Sequence, residues 1–139
     1  MLIISLTLFS GCSGNMNNEV SENTTANTTE THINNSLGYE QISGEEAKRL
    51  MDTETDVIII DARTIEEFNE GHIEGAILIP EYEIGERAEK VLSNKDQLIL
   101  VYCRSGRRSK IASQALADLG YTNVKEFGGI IDWQYEIVK

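Results

Sequence analysis

The apolar positions of this chain fall into three regimes. Residues 2–9, "LIISLTLF", form one short apolar run, and residues 13–37 scatter apolar side chains thinly among Asn, Thr, Ser and Glu. From Tyr39 onward two repeating patterns alternate. Residues 57–60 and 97–102 are apolar at nearly every position, which suits strands buried on both faces of a parallel sheet. Residues 111, 112, 115, 116 and 119 share one face of a helix over 109–119, and Gly120 supplies its stop. Ser43 with Glu46, and Thr64 with Glu67, are capping-box pairs, opening helices over 44–51 and from 64 to about 69. A short strand over 76–79 stops at Pro80, followed by a helix over 83–92. A strand over 124–127, a turn at Gly128-Gly129 and a last helix over 130–136 complete the pattern. Strands alternating with helices predict an α/β fold, with a mainly parallel central sheet and helices on both faces.

These regimes divide the 139 residues into segments of 1–12, 13–38 and 39–139. The last is long enough to build a core without disulfides or metals. The middle segment cannot bury enough surface to repay its ordering entropy and reads as a flexible polar linker. Its Asn-x-Thr matches at Asn23 and Asn27 are a product of that composition. The first run is too short to span a bilayer and fits the apolar part of a secretory signal. "FSGC", residues 9–12, resembles the lipobox that ends a lipoprotein-type signal peptide. That resemblance implies lipidation at Cys12, with the domain held on the outer face of the cytoplasmic membrane. A coil of about 25 residues gives a tether reach of roughly 25–30 Å. Cleavage elsewhere would leave the domain secreted or periplasmic.

The formal charge is −11, and every Lys and Arg lies at or after Lys48. An acidic balance excludes nucleic acid as a general partner and leaves membrane contact to the anchor alone. The two cysteines, Cys12 and Cys103, lie in such different surroundings that separate tasks are expected of them. Without a Cys-x-x-Cys or clustered His, no metal site or cofactor is expected. His32 belongs to the linker.

The candidate chemistry lies in "YCRSGRRS", residues 102–109. Cys103 follows a buried strand and precedes the clearest helix, at the carboxyl end of a sheet, where α/β proteins bind ligands. Unpartnered N–H groups and the helix dipole favour an anion there. Arg104, Arg107, Arg108 and Lys110 add full charges, and Gly106 allows the backbone to curl into an anion nest. Such surroundings lower a thiol's pKa and make it nucleophilic.

From Tyr39 to its end the chain resembles a single-domain rhodanese, a thiosulfate or polysulfide sulfurtransferase. "IIDARTIEEFNEGHIEGAILIP" (59–80), "YCRSGRRS" (102–109), "LGYTNV" (119–124) and "FGGIIDW" (127–133) carry the resemblance, in order and at normal spacing. It implies that Cys103 takes a sulfane sulfur from a small sulfur-containing anion (thiosulfate, polysulfide or a persulfide) and hands it to a thiol or cyanide. It further implies a cradle from the backbone of Arg104, Ser105, Gly106, Arg107 and Arg108, with the Arg108 side chain alongside. Asp61 and Arg63 would brace the loop, His72 would be a structural turn residue and Trp133 would sit in the core. A monomer is expected. Two other readings use the same residues: a non-catalytic rhodanese module that binds or senses, and a cysteine phosphatase or arsenate reductase. The latter families place Arg six residues after Cys, where this chain has Ser109.

Overall fold

The computed structural model describes residues 37–139. The expected signal segment, Cys12 and residues 13–36 of the expected linker lie outside the described residues. Among the described residues no helix is long and apolar enough to cross a membrane.

Strand β1 (Glu40–Gln41) is followed by α1 (Gly44–Thr53), β2 (Ile58–Asp61), α2 (Ile65–Glu70) and β3 (Ile77–Leu78). Then come α3 (Ile84–Val91), β4 (Ile99–Cys103), α4 (Arg107–Asp118) and β5 (Val124–Gly129), with 3-10 turns at Glu81–Glu83 and Ile130–Asp132. The five strands make one sheet in the order β1-β5-β4-β2-β3, and every pairing is parallel. The fold is therefore the α/β class that the alternation predicts.

Side chains alternate across the central strand β4, and all five of its residues are buried. Ile99, Val101 and Cys103 join Ile60, Ile84, Ala88, Ala112 and Leu116 in the core under α3 and α4. Leu100 and Tyr102 join Ala47, Leu50, Ile59 and Phe127 under α1, with Trp133 packed at the margin. Both capping boxes form their first half: Ser43 Oγ accepts from the Glu46 N–H at 3.0 Å, and Thr64 Oγ1 from the Glu67 N–H at 3.4 Å. At Thr64 the reciprocal bond from its N–H to Glu67 Oε2 is also present, at 3.1 Å.

Three expectations need correction, and one strand lies where none was expected. The helix expected over 130–136 is a single 3-10 turn, after which the chain runs back to form a two-way backbone bridge between His72 and Val138 at 2.8 Å. Tertiary anchoring wins there: Ile130 and Trp133 pack on the α1 side of the sheet and set the direction of the tail. Gly128-Gly129 is not a free turn but the end of β5, bulged so that Val101 faces Glu126 while Cys103 faces Gly129. Strand β1 carries no apolar pattern and owes its existence to pairing with β5. Helix α4 begins at Arg107 and not at Ser109, so two of the loop's arginines occupy its first turn.

Candidate active site

Cys103 is the last residue of β4 and is 1 % exposed. Three residues later Gly106 adopts φ +98° and caps α4 without a side chain, a left-handed conformation that favours glycine. This turn aims the Gly106 N–H at Cys103 Sγ, 3.1 Å away. In its thiol form Cys103 donates to Ser109 Oγ at 3.4 Å. Burial pushes the thiol pKa up. Hydrogen bonding by Ser109 and by the backbone N–H groups of Gly106 and Ser105 outweighs it, and the net shift is downward.

The glycine pair of β5 forms the floor of this loop. A Cβ on Gly129 would lie 2.2 Å from the Arg104 carbonyl oxygen and 2.6 Å from the Ser105 Cα, so only glycine lets the loop backbone lie this close. The Ile131 N–H donates to the Arg104 carbonyl at 3.2 Å and ties the loop to the segment after β5.

The arginines separate by task. Arg104 and Arg107 are exposed, as is Ser105. The Arg108 guanidinium does not lie free beside the sulfur. It donates a fork of bonds to Glu67 of α2, from Nη1 at 2.7 Å and Nη2 at 2.8 Å. That pair holds the Glu67 carboxyl down at about 2, chiefly through the Arg108 hydrogen bonds, and raises Arg108 in return. Glu67 therefore does two things: it closes the capping box of α2 and fastens that helix to the active loop.

Asp61 and Arg63 form a buried pair, with Nε and Nη2 of Arg63 donating to the carboxylate at 2.6–3.0 Å. Arg63 also donates to the Gly71 carbonyl at 2.7 Å, and the Tyr102 hydroxyl donates to Asp61 at 2.6 Å while accepting the Ile73 N–H at 3.1 Å. Burial, and after it the Asp61 charge, push Tyr102 well above the ordinary phenol range. Among the described residues neither Asp61 nor Arg63 hydrogen-bonds residues 104–108. Their link to the loop runs through Tyr102, next to Cys103 in the chain but on the other face of the sheet. His72 stacks on Phe68 with centroids 3.7 Å apart and shares a bond with the Phe68 carbonyl at 3.0 Å, a structural arrangement at the end of α2.

Five residues join the site without having been singled out for it by sequence: Glu67, Tyr102, Ser109, Glu126 and Gly129. Glu67 and Ser109 lie inside sequence motifs, where Glu67 signals only a helix start. Nothing in the sequence marks Glu126, which is 3 % exposed with its carboxylate 2.6 Å from Ser109 Oγ.

A buried thiol at the carboxyl end of a parallel strand, with backbone N–H groups turned on it and a helix start behind it, defines an anion-handling cysteine site on an α/β scaffold. The Rhodanese-like domain family matches residues 43–136, and the chain belongs to that family. It is similar to the thiosulfate sulfurtransferase PspE of Escherichia coli, 40 % identical over 73 residues that cover 52 % of this chain and 70 % of the relative. A sulfurtransferase of Allochromatium vinosum is 40 % identical over 88 residues, covering 63 % of this chain and 79 % of that one. A solved structure described as rhodanese with anions from E. coli superposes with a TM-score of 0.57 at 37 % identity, covering 60 % of this chain and 98 % of that one.

Proposed function

We propose that this protein is a sulfurtransferase working through a persulfide on Cys103. The observation that carries the reading is the Gly106 N–H directed at a buried Sγ whose pKa is shifted downward. The Cys103 thiolate attacks the sulfane sulfur of a small anion such as thiosulfate. A bond forms between the two sulfurs, the sulfur–sulfonate bond breaks, and its electron pair leaves on sulfite. A thiol or cyanide then attacks the outer sulfur, and the pair of the breaking S–S bond returns to Cys103. Because Sγ is almost wholly enclosed, access suits a small donor, such as thiosulfate, a polysulfide or a low-molecular-weight persulfide. With Arg108 occupied by Glu67, the backbone N–H groups and the exposed Arg104, Arg107 and Lys110 are the groups left to attract that anion.

The test is a cyanide–thiosulfate assay on wild type and Cys103→Ser, with mass spectrometry of the Cys103 peptide after exposure to each donor. Loss of turnover together with loss of the one-sulfur adduct is expected. Turnover above a few per cent in Cys103→Ser would reject the reading, and a folded wild type that accepts no sulfur would favour a binding module.

We also place the enzyme on the outer face of the cytoplasmic membrane through a lipid on Cys12, a reading supported by the "FSGC" stretch behind a short apolar run. Cys12→Ser should release an active enzyme from the membrane fraction. Full-length protein found wholly in the cytosol with Met1 retained would end this proposal.

A further inference from the structure

The sulfur-transfer scheme leaves one buried charge without a task. Glu126 enters the space behind the active loop from β5, the strand beside β4. It makes no ion pair among the described residues, so hydrogen bonds alone must offset the cost of burying its carboxylate. Its Oε1 accepts the Gly128 N–H at 2.8 Å and the Ser109 hydroxyl at 2.6 Å. One donor is the bulge of β5, and the other is the first turn of the helix that begins at the active loop.

A serine hydroxyl has a single proton. Four acceptors surround Ser109 Oγ: Glu126 at 2.6 Å, the Gly106 carbonyl at 3.0 Å, the Gly128 carbonyl at 3.4 Å and Cys103 Sγ at 3.4 Å. The carboxylate contact is the shortest and is charge-assisted. We propose that Glu126 is a positioning residue that holds the Ser109 proton away from Cys103 and so restrains the reactivity of the thiol. With its proton donated to the Glu126 carboxylate, Ser109 offers Cys103 a lone pair, which suits S–H and not S⁻. The thiolate then has backbone donors only, and a second anion one hydroxyl away.

The restraint has a chemical use. Thiolate nucleophilicity falls as thiol pKa falls, and the best attacking thiol has a pKa near ambient pH. The loop's N–H groups favour ionisation, while Glu126 acting through Ser109 opposes it, so the thiol keeps its attacking strength. Arg108 on α4 is the charge that acts on Cys103, and Arg108 in turn faces Glu67 on α2 and Glu81 in the turn before α3. On either side of Glu126 in the sheet stand the uncharged Gln41 of β1 and Val101 of β4. Neighbouring Lys125 pairs with Glu40.

The proposal rests on Cys103 being the reactive thiol, and alkylation reads that thiol whether or not sulfur is transferred. The experiment is the pH dependence of iodoacetamide labelling of the Cys103 peptide in the full chain, for wild type, Glu126→Gln, Ser109→Ala and the double variant. Glu126→Gln should lower the labelling midpoint by about one pH unit. Ser109→Ala should leave it unraised in the wild-type background and raise it in the Glu126→Gln background, where the freed hydroxyl has turned to the sulfur. An unchanged or higher midpoint in Glu126→Gln overturns the proposal. If that variant does not fold, Ser109→Ala decides alone: a higher midpoint overturns the idea, and an unraised one supports it. Failure of the labelling prediction with Cys103→Ser still inactive would reject Glu126's role and leave the sulfurtransferase reading intact.

Discussion

The Glu67–Arg108 fork joins two elements with little else in common, because α2 buries no residue of its own. Glu67→Gln keeps the shape and the oxygen for the Thr64 N–H, and removes the charge that Arg108 faces. The Glu67 carboxyl lies at about 2 against an ordinary value of 4.5. At about 1.4 kcal/mol per unit of that shift, its ionisation contributes at most about 3.5 kcal/mol. Both side chains keep 21 % exposure, and solvent screening brings the expected loss down to about 1–2 kcal/mol at pH 7. For a domain of this size that is about 4–16 °C in melting temperature. The sign follows from the depressed pKa: the stabilisation is complete above about pH 5 and disappears as pH falls through about 2. Urea unfolding of wild type and Glu67→Gln at pH 7 and pH 3 measures it, and the gap between them should shrink to about half or less at pH 3. An equal gap at both pH values would show that packing, and not the ion pair, is what the substitution removes. No gap at pH 7 would show that the fork contributes nothing.

Adjacent glycines should respond differently. Gly128→Ala meets no atom within 4 Å but must hold φ +91°, so a loss of about 1–2 kcal/mol is expected. Gly129→Ala drives a methyl into the Arg104 carbonyl and should cost about 3 kcal/mol or displace the loop, abolishing turnover; melting curves with the cyanide assay separate the two. Tyr102→Phe leaves the Ile73 N–H without its acceptor and Asp61 Oδ2 with Arg63 as its remaining donor, and should lose about 1–3 kcal/mol in urea unfolding. Full stability in Tyr102→Phe would mean that the Asp61 network does not brace the site.

Local periodicity determined the scaffold of this protein. Continuous apolar runs become the buried strands β2 and β4, a one-faced stripe becomes α4, and two capping boxes mark helix starts, because each of these signals is complete within a few neighbouring residues. The candidate cysteine was legible for the same reason: strand, Cys, Gly and a helix start are contiguous. Partnerships across the sheet were not. Sequence set Arg108 beside the sulfur, but α2 brings Glu67 to it from 41 positions away and claims both terminal guanidinium nitrogens. It set Asp61 and Arg63 against the loop, but strand alternation turns Tyr102 to the opposite face from Cys103 and routes the bracing through that ring. It read 130–136 as a helix, whereas the tail is committed to His72 by backbone bonds that only the folded sheet supplies. Glu126 left no local mark at all. A one-residue bulge in β5 and the first turn of α4 bring its carboxylate to Ser109, and that meeting exists only once β4, β5 and α4 have packed together.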